Sequence, residues 1–578
     1  MKLDFKKLRE SIDWSNRQLQ TMRTNRLKAI KEYVGMHYGV MGSQFRVPTN
    51  FLELATTIYT QQLAARPPRV MVSTRIPELK PQAYMMELAL NQLPDELNMG
   101  KTIRAAVLEA IFGIGVVKVG LTSGGEELEG IDVGRPFVDL ITLDDYFFDM
   151  SAKRKEAIEY EGNDYWLPLE TVREMWEGKS SDIAPDGSSL TSDQGNLRAE
   201  SVTSGESPDE YRDRVQLRDV WIASKNKVIT YAVTSKKVLN VATLDSPVGS
   251  PYHKLGFADV PGNILPLPPA ALWIDLHELG NNLFRKLGRQ ADAKKTLAAF
   301  PGGNDDAVDN LKRASDGEGV VYTGAPPTNL ALGGIDAPTL AFFLQSRDLF
   351  SYFAGNLDTL GGLSPVSETV GQDKLINEAA NARIKYMAQN TLEFSKGIFK
   401  ALAWYEWTDP VRKRQVVKSV PGAPSLSRTV EWSHETRKGD FLSYNFDIDV
   451  HSMEEDSPST KLQKLGMIME GYIMPLMPMM QEQGVGLDFT PIFENLSKLS
   501  NLPELMDWIT FVNPPQTPEM MGNPNPQTVA KPANTTRRYE RVNRPGATRA
   551  GNDRIMTQAL MGVGVQPAEM DALSRRPS

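Results

Sequence analysis

The stretch Leu267–Lys295, LPPAALWIDLHELGNNLFRKLGRQADAKK, decides how the chain is read. A proline cluster opens it. Leu272, Leu276, Leu279, Leu283 and Leu287 then recur at three- and four-residue steps, while Arg285, Lys286, Arg289, Lys294 and Lys295 fall to the other side. That is the pattern of a long amphipathic helix. It predicts a helix over 269–297, ended by AAFPGGNDD at Ala298–Asp306.

Working outward, short strands and turns fill EGVVYTGAPPTNLALGGIDAP, and a helix rich in Phe and Leu follows from Thr339 to Phe353. That helix carries more apolar surface than one monomer can easily cover, so it is expected to pack against a neighbour. The stretch Gly355–Leu375, GNLDTLGGLSPVSETVGQDKL, breaks the pattern with Gly361-Gly362 and Ser364-Pro365. After the break, 372–407 reads as a very long helix with Ile376, Ala380, Ile384, Met387, Phe394, Ile398 and Leu402 on one stripe.

Towards the N-terminus, helices are predicted over 3–38, from Thr49 or Asn50 as cap to Pro67-Pro68, over 81–93 and over 100–112. Ile103, Val107, Ala110 and Ile111 form the apolar face of the last. GIGVVKVGLTS and FVDLITLDDYFFDM (Phe137–Met150) change the period to strand, as do VQLRDVWIAS, KVITYAVTS and KVLNVATL. The Ser/Gly/Asp-rich segment from Lys179 to Glu210 reads as a mobile loop. Past the long helix come strands in KRQVVKSV, SRTVEWS and YNFDIDVHS, then a helical region over 460–511 that includes the Met-rich MIMEGYIMPLMPMM. Adaptable core between helices is the preferred reading of that segment, ahead of a binding face. Residues 512–578, with nine Lys and Arg against five Asp and Glu, read as a flexible basic tail. The fold class is therefore α+β, mainly helical.

Composition narrows the chemistry. The chain has 578 residues, 41% hydrophobic and 24% charged, enough for several domains. Its formal net charge of −8 does not mark the whole molecule as an electrostatic binder of nucleic acid. It has no cysteine, which excludes disulfides, thiolate catalysis and cysteine-ligated zinc. The charged N-terminus does not read as a signal peptide, and no apolar run reaches the roughly 20 residues of a membrane span, so a soluble protein that stays where it is made is expected.

Motifs for catalysis are scarce. None of His37, His253, His277, His434 and His451 stands at metal-ligand spacing with another, and no HExxH, Walker A or GxSxG sequence occurs. FGIGVVKVG resembles a piece of a glycine-rich loop, but it leads from helix to strand, the reverse of a phosphate cradle. Asp144, Asp145 and Asp149 in LDDYFFDM raise a divalent-metal nuclease as an alternative, with turn capping the preferred reading. No cofactor, no metal and no enzymatic activity are expected.

The order of elements from Leu267–Lys295 through VSETVGQDKLINEAANARIKYMAQN (Val366–Asn390) resembles bacteriophage portal proteins, the head-to-tail connectors of tailed phages. AAVLEAIFGIGVVKVG followed by GRPFVDLITLDDYFFD is similar to the wing segment of the short-tailed type. The resemblance implies a wing over 1–268 and 408–456, stem helices over 269–297 and 338–357, and a clip over 298–337. It further implies a tunnel loop over 358–371, a tunnel helix over 372–407, a crown over 457–511 and the tail beyond. It implies a ring, typically of twelve copies, around a channel for double-stranded DNA. The implied partners are the major capsid protein, terminase and then a tail adaptor, with no membrane, and the implied location is a capsid vertex of the virion. The tunnel-loop residues Leu363, Ser364, Pro365, Val366, Ser367, Glu368 and Thr369 would line the channel, and Lys286, Arg289, Lys294 and Lys295 would form a sparse cationic ring in the stem. Another phage structural protein, such as a tail or scaffold component, is the remaining alternative.

Overall fold

Asp4 accepts a hydrogen bond from the Lys7 amide at 3.3 Å and starts α1, Phe5–Val34; Gly35, at φ 60°, ends it. The computed structural model describes residues 4–36, 46–122, 127–128, 131–132, 134–186, 213–244, 246, 249–299, 309–310, 313–315, 328–357, 370–420, 423–449, 452–453, 462 and 465–476. The chain divides into two units, Met1–Leu502 and Pro503–Ser578. The second lies outside the described residues, as does the expected basic tail.

Asn50, not Thr49, caps α2 (Phe51–Leu63), accepting from the Glu53 amide at 3.2 Å. Two short helices, α3 (Lys80–Leu90) and α4 (Leu93–Glu96), lead into α5 (Met99–Phe112). The expected face of α5 is buried at Ile103, Val107, Ala110 and Ile111. Helix then turns to strand at Gly115, where a Cβ would stand 2.2 Å from the Ala106 carbonyl oxygen, so only glycine fits between α5 and the strand it precedes.

With β1 at Val70–Thr74, the strands from there on are β2 (Gly115–Thr122), β3 (Glu127–Leu128), β4 (Ile131–Asp132), β5 (Arg135–Ile141) and β6 (Tyr146–Phe148). The expected strand over 137–150 is thus broken by a turn at Thr142–Asp145. β7 (Tyr160–Pro168), helix α6 (Leu169–Met175), β8 (Arg214–Ile222), β9 (Lys227–Ala232), β10 (Val238–Thr243) and β11 (Tyr252–Leu255) follow. β2 and β5 to β11 form two antiparallel sheets, ordered β10-β9-β8-β7-β6 and β11-β2-β5, while β3 pairs with β4 alone.

Largely buried lysines join these sheets. Lys118 of β2 meets Asp219 of β8 at 2.5 Å, and Lys254 of β11 meets Glu161 of β7 at 2.9 Å. Each carboxylate has further donors: Thr230 on Asp219 at 2.7 Å, and Tyr146 on Glu161 at 2.9 Å. That satisfies the desolvated charges, as buried pairs require. Burial first, and Glu161 second, hold the Tyr146 hydroxyl protonated. Arg26 of α1 reaches Glu109 at 2.6 Å and Asp144 at 3.0 Å, tying the first helix to α5 and to the turn before β6.

The segment 179–210 divides. Residues 187–210 lie outside the described residues, but within 179–186 Ser180 and Ile183 are buried, Ile183 with Leu169, Val172 and Leu217. One large apolar side chain in a polar run was enough to anchor the near end.

Helix α7 spans Pro269–Asp292 and so ends five residues before the expected boundary. Lys295–Ala299 is a strand instead, β12, paired antiparallel with β13, Thr328–Leu332. Helix α8 (Ala337–Phe353) returns alongside α7, and α9 (Val370–Thr408) spans 39 residues, about 58 Å at 1.5 Å per residue. Ile384, Met387, Phe394, Ile398 and Leu402 of the expected α9 stripe are buried. The β14–β15 hairpin (Arg414–Val420, Ala423–Trp432) and β16 (Tyr444–Ile448), which pairs with β1, complete the described strands. The whole is α+β and mainly helical. Among the described residues, no helix is long and apolar enough to cross a membrane.

Two histidines sit inside this framework, His277 buried and His253 largely so. His253 of β11 lies beneath α9, where a Cβ on Gly397 would come within 2.9 Å of its Nδ1. His277 of α7 is fully buried, with its Nε2 3.1 Å from Asn281 Nδ2. Burial, then Lys254, pushes His253 down to about 4; burial, then Arg285, pushes His277 down to about 4 and outweighs Glu32 at 3.9 Å. Both are neutral in the folded chain, whereas the unfolded chain takes up protons near 6.5. Stability is therefore full above about pH 6.5 and falls as pH drops towards 4, by about 2 kcal/mol per histidine at pH 5. Denaturant unfolding between pH 7 and 5 is expected to show this decline, and His253→Gln/His277→Gln to flatten it. An unchanged slope would contradict the assignment.

Candidate functional site

The α7–α8 pair is held at one end by an aromatic cluster. Trp273 is wholly buried, 5.4 Å from the Tyr59 ring and 6.5 Å from Phe350, and Phe51 packs 5.1 Å from Phe350. Tyr59 donates to the Ala354 carbonyl oxygen at 2.7 Å. Asn281 accepts from both the amide and the hydroxyl of Thr49 at 3.1 Å, so the alternative cap of α2 serves α7 instead. At the other end, Phe284 meets Phe343 at 5.3 Å, and Gln290 accepts from the Asp336 amide at 3.2 Å. Asp336 caps α8 through Thr339, and the β12–β13 hairpin joins the two helices.

Helix α8 buries one stripe, Thr339, Phe343, Ser346 and Phe350, spaced four, three and four residues apart. Its other large apolar side chains are exposed: Leu340, Phe342, Leu344, Leu349, Tyr352 and Phe353 are 41–68% accessible. At 100° per residue these fall on both sides of the buried stripe. Phe342, Leu349 and Phe353 lie on one flank, and Leu340 and Leu344 on the other.

Helix α7 departs from its expected reading in the same way. Its buried face is Ala270, Trp273, His277, Gly280, Asn281 and Leu287. The leucine row is not that face: Leu272 and Leu279 are 46% and 36% exposed, and Leu276 and Leu283 are half-buried. Only Leu287 of the row is buried, while Trp273, His277 and the small residues Ala270 and Gly280 take the covered face.

Of the expected cations, Lys286 and Arg289 are exposed on the last turns of α7. Lys294 lies in the turn after the helix and Lys295 begins β12, so the four follow one another along the chain but do not share one helical face. Arg285, grouped with them by sequence, instead donates to the Arg46 carbonyl oxygen at 3.3 and 3.2 Å. Leu363, Ser364, Pro365, Val366, Ser367, Glu368 and Thr369 lie outside the described residues, and Val370, placed in the tunnel loop, already begins α9. Most of the expected clip and crown is likewise outside them.

The three aspartates do not converge on a shared site. Asp144 pairs with Arg26, Asp145 accepts from the Thr142 hydroxyl at 3.0 Å, and Asp149 accepts from the Ser151 amide and hydroxyl at 3.0 and 2.6 Å. These are turn and ion-pair roles. Among the described residues no group of three or more His, Asp or Glu is placed to hold a metal ion. The described part of the Met-rich segment, 465–476, is helical with a π turn at Met469–Ile473. It leaves Met467, Ile468, Met474 and Leu476 about half exposed or more, so this part is not the core that was expected.

The two-flank arrangement of α8 escaped a reading that counted its apolar residues without assigning them to sides. The signal was present in the spacing of Phe342, Leu349 and Phe353. Comparison of the sequence with protein-family models and with characterised proteins returns no match.

Removing a side chain from the buried stripe and removing one from the flanks should differ sharply. Phe343→Ala is expected to cost about 3 kcal/mol of unfolding free energy, and Phe342→Ser or Leu344→Ser less than about 0.5 kcal/mol when measured on the monomer. Equal losses in denaturant melts would show that the flanks are already covered.

Proposed function

We propose that this chain is a portal-type subunit, one of a closed ring that surrounds a channel for double-stranded DNA at a capsid vertex. The reading rests first on the resemblance in element order between Leu267 and Asn390. The observation that carries it is the pair of apolar flanks on α8, beside the exposed Leu272 and Leu279 of α7. A cyclic ring is built from head-to-tail contacts, in which one surface of each subunit meets a different surface of the next. A helix that buries one stripe in its own chain and offers apolar surface on both sides suits that role. A two-fold dimer needs only one such surface.

In this reading α7 and α8 are the stem helices, and the β12–β13 hairpin belongs to the clip, where terminase and later a tail adaptor dock. Residues 358–371 are the tunnel loop, and α9 is the tunnel helix. Twelve copies, the usual number in the resembled family, would repeat Lys286, Arg289, Lys294 and Lys295 around the channel. An otherwise acidic wall lets DNA pass, because each firm phosphate contact would add affinity that slows its movement. The protein does no chemistry in this role. It assembles with the major capsid protein in the host cytoplasm and remains in the virion.

The test combines the native mass and negative-stain images of the purified chain with two flank variants, Phe342→Glu/Leu349→Glu and Leu340→Glu/Leu344→Glu. The unaltered chain is expected to form a ring with an axial hole. Each variant alone should fail to close, and an equimolar mixture should stop at heterodimers, since one intact flank of each kind remains. A monomer or a two-fold dimer under assembly conditions would overturn the ring, and so would ring closure by either variant alone.

A further inference from the structure

A groove of about 1130 Å³ runs between α2, α5 and α9, away from the exposed flanks of α8. Lys101 and Arg104 stand three residues apart on one face of α5, and Lys385 rises from α9. Among the described residues no carboxylate lines the groove. Lys101 and Lys385 are exposed, and neither has an ion-pair partner among the described residues. Arg104 donates only to the carbonyl oxygens of Ala64 and Ala65, at 3.2 and 3.0 Å. Glu53, one turn away on α2, is engaged by the Thr57 hydroxyl at 2.9 Å and stands outside the lining. Three uncompensated cations around one concavity are conspicuous in a chain of net charge −8.

The floor between the cations is apolar, formed by Tyr33, Leu108, Ile384 and Ala388, with Gln61 at the rim. Beside it the hydroxyls of Thr56 and Thr60 are buried without a hydrogen-bond partner among the described residues. The volume exceeds the roughly 300–1,000 Å³ of small-molecule sites. An isolated phosphate would leave the apolar floor wet, and duplex DNA is too wide to reach a floor enclosed by helices on both sides. An extended peptide that alternates carboxylates with apolar side chains satisfies both parts at once, its acids on the cations and its apolar residues on the floor.

We infer that the α2–α5–α9 groove is a docking site for an acidic, amphipathic peptide segment of a partner protein. The inference does not depend on the ring. The probe is a short fluorescein-labelled peptide of alternating glutamate and leucine, titrated with the full-length chain and followed by fluorescence anisotropy. It is expected to bind, to weaken as salt rises, and to lose at least about tenfold in affinity in Lys101→Glu/Lys385→Glu. The Lys101→Arg/Lys385→Arg variant should retain binding, and circular dichroism should show both variants folded. Absence of binding, or charge reversal without effect in a folded variant, would overturn the site. Equal binding of a glutamate–serine peptide would overturn the apolar half of the argument. Tighter binding of single-stranded DNA through the same lysines would make this a nucleic-acid groove instead.

Discussion

The seating of Trp273 against Tyr59 and Phe350 is the contact on which the arrangement of the central helices depends. It fixes α7 to α2 and the end of α8 to both, and the Tyr59–Ala354 hydrogen bond fixes where α8 stops. Beyond it Asn281 holds Thr49 and Arg285 reaches the Arg46 carbonyl oxygen, and the two helices otherwise hold each other through Phe284 on Phe343, Gln290 on Asp336 and a hairpin across the end. The apolar surface that remains outside is a direct result. A pair anchored at one end cannot turn both flanks of α8 towards its own chain, and aromatic side chains already fill the space where the α7 leucines would have had to go.

The rest of the unit is organised to keep that anchor still. Lys118 and Lys254 reach from one sheet to carboxylates of the other, and Arg26 joins the first helix to two further elements. Buried charges of this kind add little net stability over apolar packing, but any sliding of one layer past another leaves a charge unpaired at a cost of several kcal/mol. They fix register. Most titratable side chains that a reader seeking catalysis would single out are occupied in this way, which is why Asp144, Asp145 and Asp149 read as structural once their partners are seen.

Local signals were legible in the sequence where local physics decides the outcome. A cap at Thr49 or Asn50, the apolar face of α5 and the stripe of α9 each follow from a few neighbouring residues, though α8, capped by Asp336, starts at Ala337, two residues before the expected Thr339. What escaped was set by distant partners. DAKKTLAAF has good helix formers, yet Lys295–Ala299 is a strand because Thr328–Leu332 lies beside it. The leucines of α7 promised a buried face, but burial was decided by Phe51, which presses so closely on Gly280 that a Cβ there would stand 2.7 Å from its ring. The groove cations Lys101 and Lys385 are 284 residues apart in sequence. No spacing rule joins Lys101 to Lys385.

The exposed flanks of α8 also set how steeply an assembly built on them would respond to change. Removing one large apolar side chain from a contact costs on the order of 1–2 kcal/mol, a modest loss for an isolated pair of molecules. In a closed ring the same side chain recurs at every joint, and no end subunit exists to escape the loss. The deficit then multiplies by the number of joints, and a small fault in one helix separates a population of complete rings from one of fragments.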